Sequence, residues 1–137
     1  MKLMVPILFM MLLFIGCSYP AQRPVQQVVQ QTTYREVSME EAIAMMETQS
    51  DYIILDVRTA EEFGEKHIPD AINIANEDIG TEEIPELPNK DQLILVYCRS
   101  GNRSKQASKK LAALGYTNVV EFGGINSWPG EVVYGES

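Results

Sequence analysis

The chain has 137 residues, which is enough for one folded domain and little more. Its hydrophobic content of 45% and charged content of 22% are those of an ordinary globular protein. The formal net charge of −8 makes it a poor partner for nucleic acid or anionic lipid surfaces, although a small local basic site is still possible.

Residues 1–16 have the pattern of an export signal. Lys2 is followed by 13 apolar residues, Leu3–Ile15, fewer than the about 20 that a transmembrane helix needs. The run leads into Gly16-Cys17 and resembles a bacterial lipoprotein signal, although Phe14 stands where Leu is usual. This resemblance implies a lipid on Cys17 and an extracytoplasmic domain anchored to a membrane of the bacterial cell envelope. An uncleaved anchor or a plain signal peptide with an incidental cysteine is the alternative.

Residues 17–33 are rich in Gln and Pro and have neither a helical nor a strand period, which predicts a flexible tether. Such a tether would span about 20–25 Å, enough to hold a domain clear of lipid headgroups. The folded domain is predicted over residues 34–133, followed by a C-terminal tail of residues 134–137.

The domain is predicted to begin with a short strand over Tyr34–Val37 and a helix. Ser38 and Glu41 form the capping box that starts this helix. Three apolar side chains then follow at helical spacing, and we assign them to the core: Met39, Ile43 and Met46.

The next segment predicts a strand, a helix and a second strand. Tyr52–Val57 is a nearly continuous apolar run, typical of strands buried on both faces of a parallel sheet. Thr59 and Glu62 form a second capping box and open a short helix. Ala71–Ile74 is predicted to be a small strand, and Ile79–Asn89 to be irregular with a turn or two of helix.

The second half contains the strongest strand pattern, Leu93–Tyr97, which leads directly into Cys98. A helix follows, ends at Gly115 in the left-handed position, and precedes a last strand, Val119–Phe122. The buried face of this helix is predicted to carry Ala107, Leu111 and Leu114. Strands and helices alternate throughout, which predicts an α/β fold with a mainly parallel sheet.

The segment after the central strand has the composition of an anion-binding site. Cys98 lies at the carboxyl edge of this strand, where open α/β sheets bind ligands. Six residues, Arg99–Ser104, then lead into a helix, so backbone N–H groups and the helix dipole would favour a negative charge there. Arg99 and Arg103 add full positive charges.

These groups would favour the thiolate of Cys98, because cysteines in such positions have pKa values of about 3.5–7.5. With Cys17 lipidated, Cys98 is the only remaining thiol, which excludes a disulfide-stabilised domain. We therefore expect an ionised nucleophile beside an anion-binding loop. The alternative is a structural cysteine at a strand end, with arginines that only solvate the loop.

Residues 98–104 resemble the active-site loop of the rhodanese family of single-domain sulfurtransferases. The resemblance covers about 100 residues, roughly 34–133, and three other stretches carry it in the family's order: Leu55–Phe63, His67–Ile74 and Phe122–Trp128. It implies a rhodanese-like fold in which helices flank a five-stranded, mainly parallel sheet.

The resemblance also implies a reaction and its participants. Cys98 would take a sulfane sulfur from thiosulfate or a related small anionic donor as a persulfide and pass it to a thiol or protein acceptor. The anion-binding residues implied are Arg99, Ser100, Gly101, Asn102, Arg103 and Ser104. Four residues separate Cys98 from Arg103, whereas related phosphatases and arsenate reductases have five, which favours sulfur transfer over phosphate hydrolysis.

Other polar residues receive structural roles. In the family, the pair equivalent to Asp56 and Arg58 mostly fixes loops through a salt bridge, with tuning of the pocket as the alternative. His67 is assigned to packing and a turn, and Trp128 to the core or a pocket wall. Glu61, Glu62 and Glu65 are expected to be a solvated helix face. No cluster resembles a metal site, and no cofactor is predicted.

Lys66 and Asp70 depart from the family pattern, because each stands where Gly is common. A left-handed residue at either position would cost about 1 kcal/mol. Two other functions remain open: a membrane-tethered sulfur or redox relay, and a non-catalytic anion-binding or docking module.

Overall fold

The computed structural model describes Gly16 and residues 33–135. The export signal apart from Gly16, Cys17 with the rest of the tether up to residue 32, and the last two residues of the tail lie outside the described residues. Within the described part, no helix is both long and apolar enough to cross a bilayer.

Strands and helices alternate along residues 33–135. The elements are β1 (Arg35–Glu36), α1 (Met39–Thr48), β2 (Tyr52–Asp56), α2 (Ala60–Glu65), β3 (Ile72–Asn73), β4 (Leu93–Cys98), α3 (Asn102–Ala113) and β5 (Val119–Gly124). Single 3₁₀ turns follow β3, at Asn76–Asp78, and β5, at Ile125–Ser127.

The five strands form one sheet in the order β1-β5-β4-β2-β3, and every neighbouring pair is parallel. The predicted α/β fold is therefore confirmed. The central strand, β4, is buried along its whole length, as its apolar sequence predicts. Because all strands run the same way, their carboxyl ends meet at one edge of the sheet, which is the edge that carries Cys98.

The starts of α1 and α2 follow the predicted capping boxes. Ser38 accepts a hydrogen bond from the Glu41 N–H, and the Glu41 carboxylate accepts one from the Ser38 N–H. Thr59 and Glu62 make the same reciprocal pair. These bonds satisfy N–H groups that would otherwise lack partners in the first turn of each helix.

A hydrophobic core lies on each face of the sheet. One face packs against α3 through Ala107 and Leu111, while Leu114 is half-buried at its edge. The other packs against α1, whose Ala42 is fully buried and whose Met39 and Met46 are partly buried. The five predicted side chains among these take the expected orientation: Met39, Met46, Ala107, Leu111 and Leu114. Ile43 is equally half-buried but does not pack against this core.

Side chains of β4 alternate between the two cores, as strand geometry requires. Leu95 and Tyr97 face the core under α1, whereas Val96 and Cys98 face the core under α3. The sulfur of Cys98 is thereby directed toward the helix that follows it.

The end of β5 contains an irregularity beside Cys98. Val96 pairs with Glu121 and Cys98 with Gly124, so β5 has one residue more than β4 over this stretch. Gly123 occupies this bulge with a left-handed φ of 97°. The Gly-Gly pair therefore belongs to β5.

Candidate active site

The sulfur of Cys98 lies at the base of the loop formed by Cys98–Ser104, called here the Cys98 loop. The Gly101 N–H donates a hydrogen bond to Sγ over 3.0 Å. The Ser104 hydroxyl oxygen lies 3.3 Å from the same sulfur. The loop thus turns a backbone donor and a side-chain hydroxyl toward the sulfur.

The surroundings of Cys98 have opposing effects on its pKa. Burial favours the neutral thiol, but hydrogen bonds from the Ser104 side chain and from the backbone of Ser104, Gly101 and Ser100 favour the thiolate. The hydrogen bonds outweigh burial, and the pKa of Cys98 is lower than that of an ordinary thiol. The direction agrees with the sequence prediction, and the main causes are the backbone N–H groups that it named together with the Ser104 hydroxyl, which it did not.

Cys98 is only 1% exposed. Its side chain points into the layer between the sheet and α3. The sulfur is therefore almost closed to solvent in this structure.

Two glycines give the Cys98 loop its shape. Gly101 has a φ of 115° at the start of α3, a conformation that residues with a Cβ rarely adopt. Gly124 lies directly against the loop, because a Cβ at this position would be 2.0 Å from the carbonyl oxygen of Arg99 and 2.5 Å from the nitrogen of Ser100. The Asn126 N–H donates to that same Arg99 carbonyl over 3.2 Å. Strand β5 and the turn after it therefore hold the loop from below.

The two arginines of the loop differ in their surroundings. Arg103 makes two hydrogen bonds of 2.6 and 2.9 Å to the carboxylate of Glu62 on α2. The pKa of Arg103 is raised by this hydrogen-bonded pairing, and the charge of Cys98 contributes a smaller increase. Glu62 thus does not lie on a solvated face, contrary to the sequence expectation. Arg99 is exposed, as are Ser100 and Asn102.

A cavity of about 280 Å³ lies beside the loop, and Arg99 forms part of its wall. Its other lining residues are Arg58, Glu62, Glu65, Lys66, Ile125 and Asn126. Cys98 is not among them, so the cavity is a space next to the sulfur rather than one that contains it.

Asp56 and Arg58 form a buried ion pair at the end of β2. Their side chains are 0% and 4% exposed and approach to 2.6 Å. Arg58 also donates to the backbone carbonyl of Lys66 over 2.7 Å. The pair connects β2 to the turn after α2, which is the salt bridge that the sequence predicted.

Comparison with known proteins agrees with this arrangement. The family model described as "Rhodanese-like domain" matches residues 38–131, which is more than half of the chain. This chain belongs to the rhodanese-like domain family. The matched range includes Asp56, Arg58 and the whole Cys98 loop.

Individual relatives show the same similarity. "Thiosulfate sulfurtransferase PspE" of Escherichia coli is 35% identical over 71 residues, which cover 52% of this chain and 68% of that protein. "Adenylyltransferase and sulfurtransferase UBA4" of Candida albicans is 35% identical over 103 residues. The match covers 70% of this chain but only 24% of that protein. A solved structure titled "rhodanese with anions from E. coli" matches with a TM-score of 0.56 and 34% identity, covering 61% of this chain and 99% of that one.

The only histidine of the rhodanese-like domain has the packing role predicted for it. His67 is 2% exposed and stacks on Phe63 with ring centroids 3.8 Å apart. Its Nδ1 lies 3.0 Å from the Phe63 carbonyl oxygen, and its backbone pairs with Val133.

Trp128 is half-buried against the core under α1, as expected. Among residues 33–135, no group of metal-binding side chains is placed to hold an ion.

The two departures from the family pattern have different outcomes. Asp70 has a φ of 65°, which is the left-handed conformation that the missing glycine would adopt easily. Asp tolerates this conformation better than most residues, so the turn is retained at a cost of about 1 kcal/mol or less. Lys66 is extended, with a φ of −166°, and is under no such strain.

Glu121 is a polar neighbour of the Cys98 loop that the sequence did not indicate. Glu121 on β5 is 3% exposed, and its carboxylate lies 2.5 Å from the Ser104 hydroxyl oxygen. The available signal was an acidic residue in the otherwise apolar strand Val119–Phe122. Its partner could not be identified, because the contact depends on the bulge and on the register of β5 against β4.

Proposed function

We propose that this protein is a sulfurtransferase that moves a sulfane sulfur from thiosulfate or a related anionic donor to a thiophilic acceptor through a persulfide on Cys98. The observation that carries the proposal is the environment of Sγ, which the Gly101 N–H and the Ser104 hydroxyl contact at 3.0 and 3.3 Å. A thiol held in this way is ionised more easily than a free one.

The proposed reaction has two nucleophilic steps. The Cys98 thiolate attacks the outer sulfur of thiosulfate, a new S–S bond forms, and the old one breaks with its electron pair leaving on sulfite. An acceptor such as cyanide or a thiolate then attacks the outer persulfide sulfur, and Cys98 leaves as a thiolate. Neither step needs a protein group to remove a proton from Cys98 during the attack.

Stabilisation of negative charge is the main requirement of this chemistry. The sulfur donor, the persulfide and the leaving group are all anions. Hydrogen-bond donors held in fixed positions stabilise such negative charges effectively. Three sets of groups are candidate hydrogen-bond donors for these anions: the backbone N–H groups at the start of α3, the exposed Arg99 and the nearby Arg103. Four residues between Cys98 and Arg103 make a smaller loop than the phosphatase type, which favours a sulfur-bearing substrate.

The relatives support the proposed activity. The similar E. coli protein is named a thiosulfate sulfurtransferase, and it is matched over 68% of its length. A protein of Allochromatium vinosum named a sulfurtransferase is 35% identical and is matched over 86% of its length. This similarity supports sulfur transfer as the reaction class and thiosulfate as the first donor to test.

The deciding experiment follows the mass of the purified full-length chain. Incubation with thiosulfate should add about 32 Da, and cyanide should remove it with formation of thiocyanate. Cys98→Ser should lose both the adduct and at least about 10³-fold of the thiocyanate rate. Cys17→Ser is the matched control and should keep them.

Persistence of the adduct in Cys98→Ser would contradict the mechanism. Only sulfenic or glutathione adducts on Cys98 would indicate the redox relay instead. A flat thiocyanate assay with several donors, together with oxyanion binding, would indicate the docking module.

We further propose that the domain is extracytoplasmic and attached to a membrane through a lipid on Cys17. Lys2, the apolar run and Gly16-Cys17 support this localisation, and residues 17–33 are long enough to separate the domain from the bilayer. In a bacterial host, Cys17→Ser should remove labelled fatty acid from the protein. Equal labelling of the two forms would contradict the proposal.

A further inference from the structure

The cavity of about 280 Å³ beside the Cys98 loop includes a lysine that the loop itself does not supply. Lys66, which directly follows α2, and Arg99, which directly follows Cys98, both form part of its wall. Asn126, in the same wall, donates its N–H to the Arg99 carbonyl oxygen over 3.2 Å. The cavity therefore brings the end of α2 together with the residue next to the nucleophile.

The backbone of Lys66 is held in place from both sides. Its N–H donates to the Glu62 carbonyl oxygen over 3.3 Å, and its own carbonyl oxygen accepts a hydrogen bond of 2.7 Å from Arg58. The next residue, His67, exchanges two backbone hydrogen bonds with Val133. None of these contacts uses the side chain of Lys66, which is exposed. A fixed backbone thus carries an ammonium group that a ligand can reach.

The charged side chains of the cavity wall fall into two groups. Arg58 and Glu62 are already engaged in ion pairs. Lys66, Arg99 and Glu65 form no ion pair within the part of the chain that the structure describes. Two positive charges and one negative charge are therefore free, in a protein whose formal net charge is −8. This surplus suits a ligand group with a single negative charge, such as a carboxylate.

The position of the cavity separates the charged group of such a ligand from its sulfur. Cys98 is not part of the wall, so a ligand bound by Lys66 and Arg99 must present its reactive sulfur on another part of the molecule. In thiosulfate, the charged oxygens and the outer sulfur are bonded to the same atom, which leaves no such separation. A thiol with a carboxylate a few bonds from its sulfur has the required arrangement.

We propose that Lys66 is a specificity-determining residue that, together with Arg99, binds the carboxylate of a small organic thiol, the sulfur acceptor. The acceptor thiolate attacks the outer sulfur of the Cys98 persulfide and a new S–S bond forms. The old S–S bond breaks with its electron pair leaving on Cys98. The product is the persulfide of the acceptor, and no oxidant or reductant is needed.

This inference rests on the proposed function, since it takes the Cys98 persulfide as the sulfur carrier. It adds the chemical class of the acceptor and a residue outside the Cys98 loop that selects it. Lys66 stands where Gly is common in the family, so the preference for a carboxylate would be a property of this chain.

Release of sulfite from thiosulfate by the purified full-length chain measures turnover with every acceptor. The quantity compared is kcat/KM for 3-mercaptopropionate divided by kcat/KM for the uncharged 2-mercaptoethanol. We expect this ratio to fall about fivefold in Lys66→Gln, the effect of losing one exposed ion pair. Lys66→Arg retains the charge and should retain the ratio. Lys109→Gln removes an exposed lysine of α3 outside this cavity, and this matched control should also retain the ratio.

Cysteamine carries an ammonium group in place of the carboxylate, so its ratio to 2-mercaptoethanol should rise in Lys66→Gln. An equal loss of kcat/KM for all three thiols would overturn the inference, because Lys66 would then have only a structural effect. An unchanged 3-mercaptopropionate ratio in Lys66→Gln, or an equal fall in Lys109→Gln, would overturn it too. Normal thiocyanate formation alongside either result would leave the sulfurtransferase proposal intact. Absence of sulfite release by the parent protein with any acceptor, including cyanide, would remove both proposals.

Discussion

Ser104 and Ser108 lie one helical turn apart on the buried face of α3 and differ in their contacts. The Ser104 hydroxyl approaches Cys98 Sγ, whereas the buried Ser108 hydroxyl has no hydrogen-bond partner among residues 33–135. Both side chains are 0% exposed. Substituting each serine in turn therefore distinguishes a specific effect of the Ser104 hydroxyl on Cys98 from the general effect of removing a hydroxyl from this face of α3.

Ser104→Ala should raise the pKa of Cys98, because it removes a hydroxyl hydrogen bond that stabilises the thiolate. The pH dependence of alkylation of Cys98 by iodoacetamide measures this change, with Cys17→Ser as the background. Ser108→Ala should leave the midpoint unchanged. An equal shift in both variants would show that the hydroxyl of Ser104 has no specific effect on the sulfur.

At the scale of elements, α2 and α3 are joined at the active site by the pair of Glu62 and Arg103. This bidentate contact is about three-quarters buried, with 25% and 28% of the two side chains exposed. The hydrogen bond to Arg103 is the main reason that the pKa of Glu62 falls to about 2 from an ordinary value of 4.5. The same carboxylate also completes the capping box of α2.

Glu62→Gln should destabilise the protein by about 1 kcal/mol at neutral pH. Because the folded pKa is depressed, this stabilisation is complete above about pH 4.5 and is lost as the pH falls to about 2. Urea unfolding across this range should show the parent and variant converging in acid. Glu61→Gln, an exposed neighbour on α2, is the matched control, and a similar pH-dependent difference there would contradict the assignment.

The order of these elements could be predicted from the sequence because the signals are local. Apolar runs mark β2 and β4, and two capping boxes mark the starts of α1 and α2. The partner of Glu62 could not be predicted, because Arg103 lies 41 residues further along the chain. The bulge beside Cys98 was missed for a similar reason, since it is defined by the pairing of β5 with β4.

Some features of the candidate site could likewise be predicted from the sequence, and others could not. The Cys98 loop was predicted from one continuous segment of sequence. The same segment predicted that backbone N–H groups at a helix start would favour a negative charge on Cys98. The depth of the sulfur was not predicted, because it depends on how α3 and β5 pack against the loop. Glu121 was missed because only the folded sheet brings it to Ser104.

At the scale of the whole molecule, the ion pair of Asp56 and Arg58 connects several parts of the fold. Arg58 binds the Lys66 carbonyl, and its guanidinium carbon lies 5.8 Å from the ring centroid of Tyr97 on β4. Tyr97 in turn accepts a hydrogen bond from the Ile68 N–H over 3.1 Å. Removing one member of the pair would leave the other charge buried without its partner.

Arg58→Met should lower the free energy of unfolding by about 3–5 kcal/mol, because the buried Asp56 carboxyl would lose its ion-pair partner. The double variant Asp56→Leu with Arg58→Met should recover a large part of this loss. Urea denaturation of the two proteins provides the comparison. A double variant as unstable as the single one would show that the cost arises from lost packing rather than from an unpaired charge.

The antiparallel bridge between His67 and Val133 bears on where the domain can be shortened. The backbones of these residues exchange hydrogen bonds of 2.9 and 2.8 Å, and the Gly135 N–H donates to the Gly64 carbonyl. The family match covers residues 38–131, which omits this bridge and also the edge strand β1. A protein trimmed to residues 38–131 would therefore expose one edge of β5 and free the segment after α2. Anyone preparing a minimal fragment should keep residues 33–135.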